Sequence, residues 1–223
     1  MNGAADVRAP ECPPIYFLSG MGADGRLLQP QAVAFPTLKC LPWRVPGKGE
    51  SVAAYALRML EALPEGPCIL GGISFGGVIA QEMAAIRPPI GIVLISSLSS
   101  PAEIALPTTK RGGTLFARAG RGFARLASPF APLLPCADGL ALQMLADSDS
   151  RFLAWAMNAL VRWTPPAFPD VPTLRIHGTR DLLIRPHSWE GIVRIPGGGH
   201  LLNLTHRESV NAAIAAFLQQ LGD

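Results

Sequence analysis

Charge is sparse in this chain. Asp, Glu, Lys and Arg make up 16% of 223 residues, and the net charge of +3 is too small and too scattered to form a nucleic-acid surface. Aromatic residues amount to 7%, and there are only four histidines, His177, His187, His200 and His206. The four cysteines, Cys12, Cys40, Cys68 and Cys136, form no C-x-x-C pair and no metal-ligand spacing, so they read as reduced, mostly buried thiols. No stretch reaches the about 18 uninterrupted apolar residues of a membrane span. The opening MNGAADVRAPECPP has no apolar leader core. These absences point to a cytoplasmic protein with no nucleic acid, no membrane span and no bound metal.

What is plentiful is apolar. Hydrophobic residues make up 49%, enough for a sizeable core and against disorder. The length suits one domain over residues 1–223. Short apolar runs recur as strand candidates: IYFLS (15–19), TLKCL (37–41), PCILGGI (67–73), IGIVLIS (90–96), VPTLRIHG (171–178) and GIVRIPGG (191–198). Helical spacing falls between them. SVAAYALRMLEAL (51–63) has Ser51 as a candidate N-cap, and a helix from about Gly76 is stopped by Pro88 and Pro89. In the last helix Val210, Ile214, Phe217, Leu218 and Leu221 define one buried face, with Thr205 and Glu208 as a capping box. Between about 97 and 168 the alternation breaks into a Pro/Gly-punctuated, partly helical insertion. Strands alternating with helices imply a mostly parallel sheet covered on both faces, with any ligand at the carboxyl ends of its strands.

Gly72-Ile73-Ser74-Phe75-Gly76 lies between a predicted strand and a predicted helix. In that setting G-x-S-x-G places a serine on a sharp, strained turn, its hydroxyl exposed and the new helix's N-terminus behind it. A serine hydroxyl needs a base, and the base needs an orienting carboxylate. His200 ends IPGGGH, directly after the last strand, where its ring could reach back over the sheet edge. His177 reads as a packed strand-end residue, His187 as part of a surface turn and His206 as solvated. Asp181, in HGTRDLLI after the penultimate strand, is the candidate carboxylate. It could instead bond its own backbone in a turn or pair with Arg180 or Arg185. Asp170 precedes its strand, at the wrong end. For an oxyanion hole the candidates are the backbone N–H of Phe75 and that of Met21 in LSGMGADGR.

The order Ser74, Asp181, His200, together with the LSGMG loop, GGISFGG elbow, HGTRDLLI loop and GGGH loop, resembles the α/β-hydrolase superfamily, in particular its small carboxylesterase-like members with a helical cap. The resemblance spans nearly the whole chain. It implies an eight-strand-type sheet short of one or more N-terminal strands, cleavage of a carboxylic ester through an acyl-enzyme, and no cofactor. Ser19 departs from the pattern, since many relatives carry histidine there. A nucleophilic serine sets the chain apart from the dehalogenase relatives, which attack with aspartate. The insertion holds apolar residues, among them Met144, Leu145, Phe152 and Trp155, that pack the cap or line an acyl pocket. It also holds Arg118, Arg121 and Arg125, a basic stretch that is either a solvated face or a contact for an acidic carrier. The layout resembles the carrier-protein methyl ester esterases of biotin synthesis, whose caps use arginines in that way. A small ester or thioester is the implied substrate, and a ligand-binding protein that keeps the fold is the alternative from another class.

Overall fold

A computed structural model of the protein describes residues 13–105, 121–122, 124–129, 136–167 and 170–222. Six strands lie among them: β1 (Ile15–Leu18), β2 (Leu38–Leu41), β3 (Ile69–Ile73), β4 (Gly91–Ile95), β5 (Thr173–Gly178) and β6 (Ile192–Ile195). They form one sheet in the order β2-β1-β3-β4-β5-β6, and every pairing is parallel. This is a sheet shorter than the eight-strand type.

Sequence pattern and position in the sheet agree. The central strands IYFL, ILGGI and GIVLI are buried at every residue, as required where both faces are covered. The outermost strands carry Lys39 and Arg194, charges that blunt an open edge. Because side chains alternate across a strand, β1 feeds two cores. Tyr16 and Leu18 pack with Tyr55, Met59, Val78 and Met83. Ile15 and Phe17 pack with Leu27, Leu28, Val210 and Ile214 on the other face.

The helices follow. α1 spans Gln29–Ala34, and α2 spans Val52–Leu60, shorter than the predicted 51–63, with Ser51 Oγ accepting from the Ala54 N–H at 3.1 Å. α3 (Phe75–Ile86) starts on the residue after Ser74, one earlier than expected. Between β4 and β5 stand α4 (Cys136–Asp147) and α5 (Ser150–Arg162), and the chain closes with α6 (Leu202–Thr205) and α7 (Arg207–Gly222). The predicted capping box is absent. Thr205 ends α6, and His206 separates it from α7. The turn is dictated by docking: Leu202 and Asn203 are buried, and Asn203 Nδ2 donates to the Leu27 carbonyl at 2.7 Å.

The sheet order reverses between β1 and β3, because β2 lies on one side of β1 and β3 on the other. At such a switch point the loops leaving two neighbouring strands diverge and open a crevice. Here those loops begin at Ser19 and at Ser74.

Candidate active site

Ser74 has φ 53° and ψ −119°, a backbone conformation L-residues avoid, of the kind that costs about 1–3 kcal/mol. Its surroundings hold it there. The Ser74 N–H donates to the Ile95 carbonyl at 3.0 Å, and its carbonyl accepts from the Gly77 N–H at 3.0 Å. The flanking glycines are steric necessities. A Cβ on Gly72 would overlap the backbone of Gly76, and one on Gly76 would overlap the carbonyls of Leu18 and Ser19. Their absence lets α3 begin tight against β1. The first N–H groups of a helix have no intrahelical acceptor, so the Phe75 amide stands beside the serine with the positive end of the α3 dipole.

Asp181 and His200 meet although 19 residues separate them. His200 Nδ1 lies 2.8 Å from Asp181 Oδ2, so the imidazole carries its proton on Nδ1 and leaves Nε2 free to accept. Asp181 is buried, and its Oδ1 accepts from the N–H groups of Leu183 (2.9 Å) and Ile184 (3.1 Å). The turn expected as an alternative to pairing thus exists alongside it. No pairing with Arg180 or Arg185 is needed, because His177 occupies the remaining side: its Nε2 lies 3.1 Å from Asp181 Oδ2 and 3.0 Å from the Ile184 carbonyl. Both neighbours are acceptors, so Nε2 of His177 is protonated. Burial is the largest influence on the Asp181 carboxyl and pushes it up. Hydrogen bonds from His177 and His200, the charge of His200 and the Ile184 amide outweigh it and hold the group well below the usual carboxylate range.

Ser74, His200, Gly20 and Met21 line one cavity of about 180 Å³, together with the apolar residues Ile73, Met144 and Leu145. Met21, the sequence's candidate oxyanion donor, is one of the residues lining the serine's cavity. Ser19, the departure from the family pattern, is buried, and its hydroxyl donates to the Ala23 carbonyl at 2.9 Å, bracing the loop it starts. A second cavity of about 510 Å³, lined by Trp43, Leu41 and Phe152, shares Ala23 and Met144 with the first. Met144, which lines both, is buried.

Two residues escaped sequence reasoning. His177 is packed as expected, yet it also bonds the carboxylate. Glu103 is buried and accepts from the N–H groups of Ser99 (2.7 Å) and His187 (3.2 Å), tying the segment after β4 to the loop that carries Asp181. Neither has a local sequence signal. Of the basic stretch, Arg118 lies outside the described residues; Arg125 is exposed and donates from Nε to the Ala146 carbonyl at 3.3 Å, whereas Arg121 Nε is buried without a hydrogen-bond partner. Among the described residues no cluster of His, Cys, Asp or Glu is gathered as a metal site, and no helix is long and apolar enough to cross a membrane.

A parallel sheet with a strained serine between strand and helix at its switch point is the architecture of the α/β hydrolases. The chain belongs to that family: the model of the alpha/beta hydrolase family matches residues 5–213. It is 30% identical, over an alignment 252 positions long, to polyketide synthase ThaQ of Burkholderia thailandensis, covering 96% of this chain and 12% of that protein. This chain therefore spans only about an eighth of that relative's length. It is 26% identical to a poly(3-hydroxyalkanoate) depolymerase of Ectopseudomonas oleovorans, covering 95% of this chain and 86% of the other. Among solved structures, a thermophilic esterase from Thermogutta terrifontis superposes with a TM-score of 0.73 at 22% identity, covering 94% of this chain and 90% of that one. That likeness speaks to the fold.

Proposed function

We propose that this chain is a serine hydrolase that cleaves carboxylic esters through an acyl-enzyme. The carrying observation is the Asp181–His200 pair at 2.8 Å, with His200 sharing the cavity of a strained Ser74. Ser74 Oγ attacks the ester carbonyl while His200 Nε2 takes its proton. Asp181 holds the ring and stabilises the imidazolium. The tetrahedral oxyanion accepts from the N–H groups of Phe75 and Met21, and His200 returns the proton to the leaving alcohol. Water then attacks the acyl-enzyme with His200 as base. The narrow apolar cavity favours short acyl groups, and the similarity to a depolymerase of poly(3-hydroxyalkanoate) supports an ester substrate. A fluorophosphonate probe should label the wild type and not Ser74→Ala, and acetyl to octanoyl p-nitrophenyl esters should be turned over with a short-chain optimum. A folded wild type that neither labels nor hydrolyses any of them overturns this reading in favour of a ligand-binding member of the fold.

The same residues would cleave an acyl thioester. Exposed Arg125, on the cap, is the feature that favours an anionic carrier. Comparing acyl-coenzyme A with the free ester in wild type and Arg125→Glu separates the two: selective loss on the carrier-linked substrate supports the thioester reading, and equal rates exclude it.

A further inference from the structure

Across a trans peptide, the carbonyl of one residue points opposite to the N–H of the next. The direction of the Met21 N–H is therefore set by whatever holds the Gly20 carbonyl, and that of the Phe75 N–H by whatever holds the Ser74 carbonyl. Both carbonyls are gripped twice. Gly20 O accepts from the Ala23 N–H at 3.1 Å and from the indole Nε1–H of Trp43 at 3.3 Å. Ser74 O accepts from the Gly77 N–H at 3.0 Å and from the Ser97 hydroxyl at 2.8 Å. In each case the backbone donor closes a local turn. The side-chain donor comes from a different part of the sheet, the loop after β2 for Trp43 and the end of β4 for Ser97.

Both side chains are themselves held. The Trp43 ring packs against Phe152 at 4.6 Å and Phe75 at 6.0 Å between centroids, which fixes where its N–H points. Ser97 is buried, and Gly77 leaves the room it needs: a Cβ at position 77 would collide with the Ser97 side chain. The loop being held carries glycine at positions 20 and 22, with a φ of 75° at Gly22, and its other brace is the Ser19 hydroxyl on the Ala23 carbonyl. A peptide held by one hydrogen bond can rock about it; a second bond on the same oxygen removes that freedom and polarises the amide, making its N–H a stronger donor.

We infer that Trp43 and Ser97 are positioning residues for the reaction, each aiming one oxyanion-binding N–H from behind through the carbonyl of the same peptide. This deepens the reading of Ser74 as nucleophile and rests on it. Each side chain acts through the carbonyl behind its N–H, so its contribution falls on the transition state, where a preorganised donor matters most.

The test uses Trp43→Phe, which keeps an aromatic ring without the N–H, and Ser97→Ala, measured beside wild type on a short p-nitrophenyl ester. Active enzyme is counted by Ser74 labelling, and affinity is measured for a trifluoromethyl ketone, which forms an oxyanion on Ser74. Losing a donor outright costs about 100-fold or more in kcat, and misaiming one should cost less, about 5- to 30-fold for each variant. KM should stay within about twofold, and ketone affinity should fall by the same factor as kcat. An unchanged kcat, or a raised KM with kcat intact, overturns the inference while leaving the function standing. A wild type that neither labels nor turns over removes both. Should Trp43→Phe fail to fold, Ser97→Ala decides the matter on the other peptide.

Discussion

Oδ2 of Asp181 stands 2.8 Å from Nδ1 of His200, and the same oxygen stands 3.1 Å from the buried His177. One carboxylate oxygen thus faces two imidazoles, while the other is saturated by two backbone N–H groups. Asp181 has no freedom to turn, and His200 inherits that rigidity.

Asp181→Asn presents an amide N–H to His200 Nδ1 and favours the tautomer that cannot accept from Ser74. Ester turnover should fall about 10³- to 10⁴-fold. The carboxylate also has a stability signature. Its folded pKa is depressed, so its contribution is present above the unfolded value of about 3.9 and is lost as pH falls through the folded value. Thermal midpoints measured from pH 2 to 6 should show a steeper acid limb in wild type than in Asp181→Asn.

Gly76→Ala forces a methyl against the carbonyls of Leu18 and Ser19, which are backbone and cannot swing aside. The expected loss is about 1–3 kcal/mol in urea denaturation, together with loss of fluorophosphonate labelling as α3 is pushed off β1. Gly49→Ala serves as a comparison, since nothing lies within 4 Å of a Cβ there, although its φ of 71° adds a small strain of its own.

Met144 lines both the cavity of about 180 Å³ and that of about 510 Å³, and Met144→Ala should join them. Specificity constants along an acetyl to octanoyl series should shift toward longer chains. Removing a buried methionine side chain costs about 2–5 kcal/mol, so the comparison belongs at low temperature. An unchanged chain-length profile would show that the larger cavity takes no part in acyl binding.

Glu82 is buried in α3, with Oε1 accepting from the Trp163 indole at 2.7 Å. Burial raises its carboxyl above the ordinary value, and the indole bond opposes this only in part. The sign follows: a raised folded pKa means that the folded state holds the proton longer than the unfolded one, so stability declines as pH rises from the unfolded value, about 4.3, through the folded one. Glu82→Gln keeps an oxygen for Trp163 and removes the charge. Its thermal midpoint should match wild type near pH 4 and exceed it at pH 8.

The order of strands and helices and the turn around Ser74 were legible in the sequence because each rests on near neighbours. A buried parallel strand needs a continuous apolar run, a sharp turn needs Gly72 and Gly76, and a helix stops where Arg87 meets Pro88. Ser74, Asp181 and His200 could be picked out as candidates for the same reason, each residue lying just past a strand end. Local rules failed where docking overrode them. Thr205 and Glu208 have capping-box spacing, yet the burial of Leu202 and Asn203 breaks the helix between them. What only the tertiary structure decided is how residues from separate loops converge: His177 on Asp181, Glu103 under the loop that carries it, Trp43 behind Gly20, Ser97 behind Ser74 and Met144 on the walls of two cavities. Such contacts obey no period and no spacing. They arise because the parallel sheet delivers the ends of β1, β2, β3, β4, β5 and β6 to one edge, where side chains far apart in the chain come within hydrogen-bond reach.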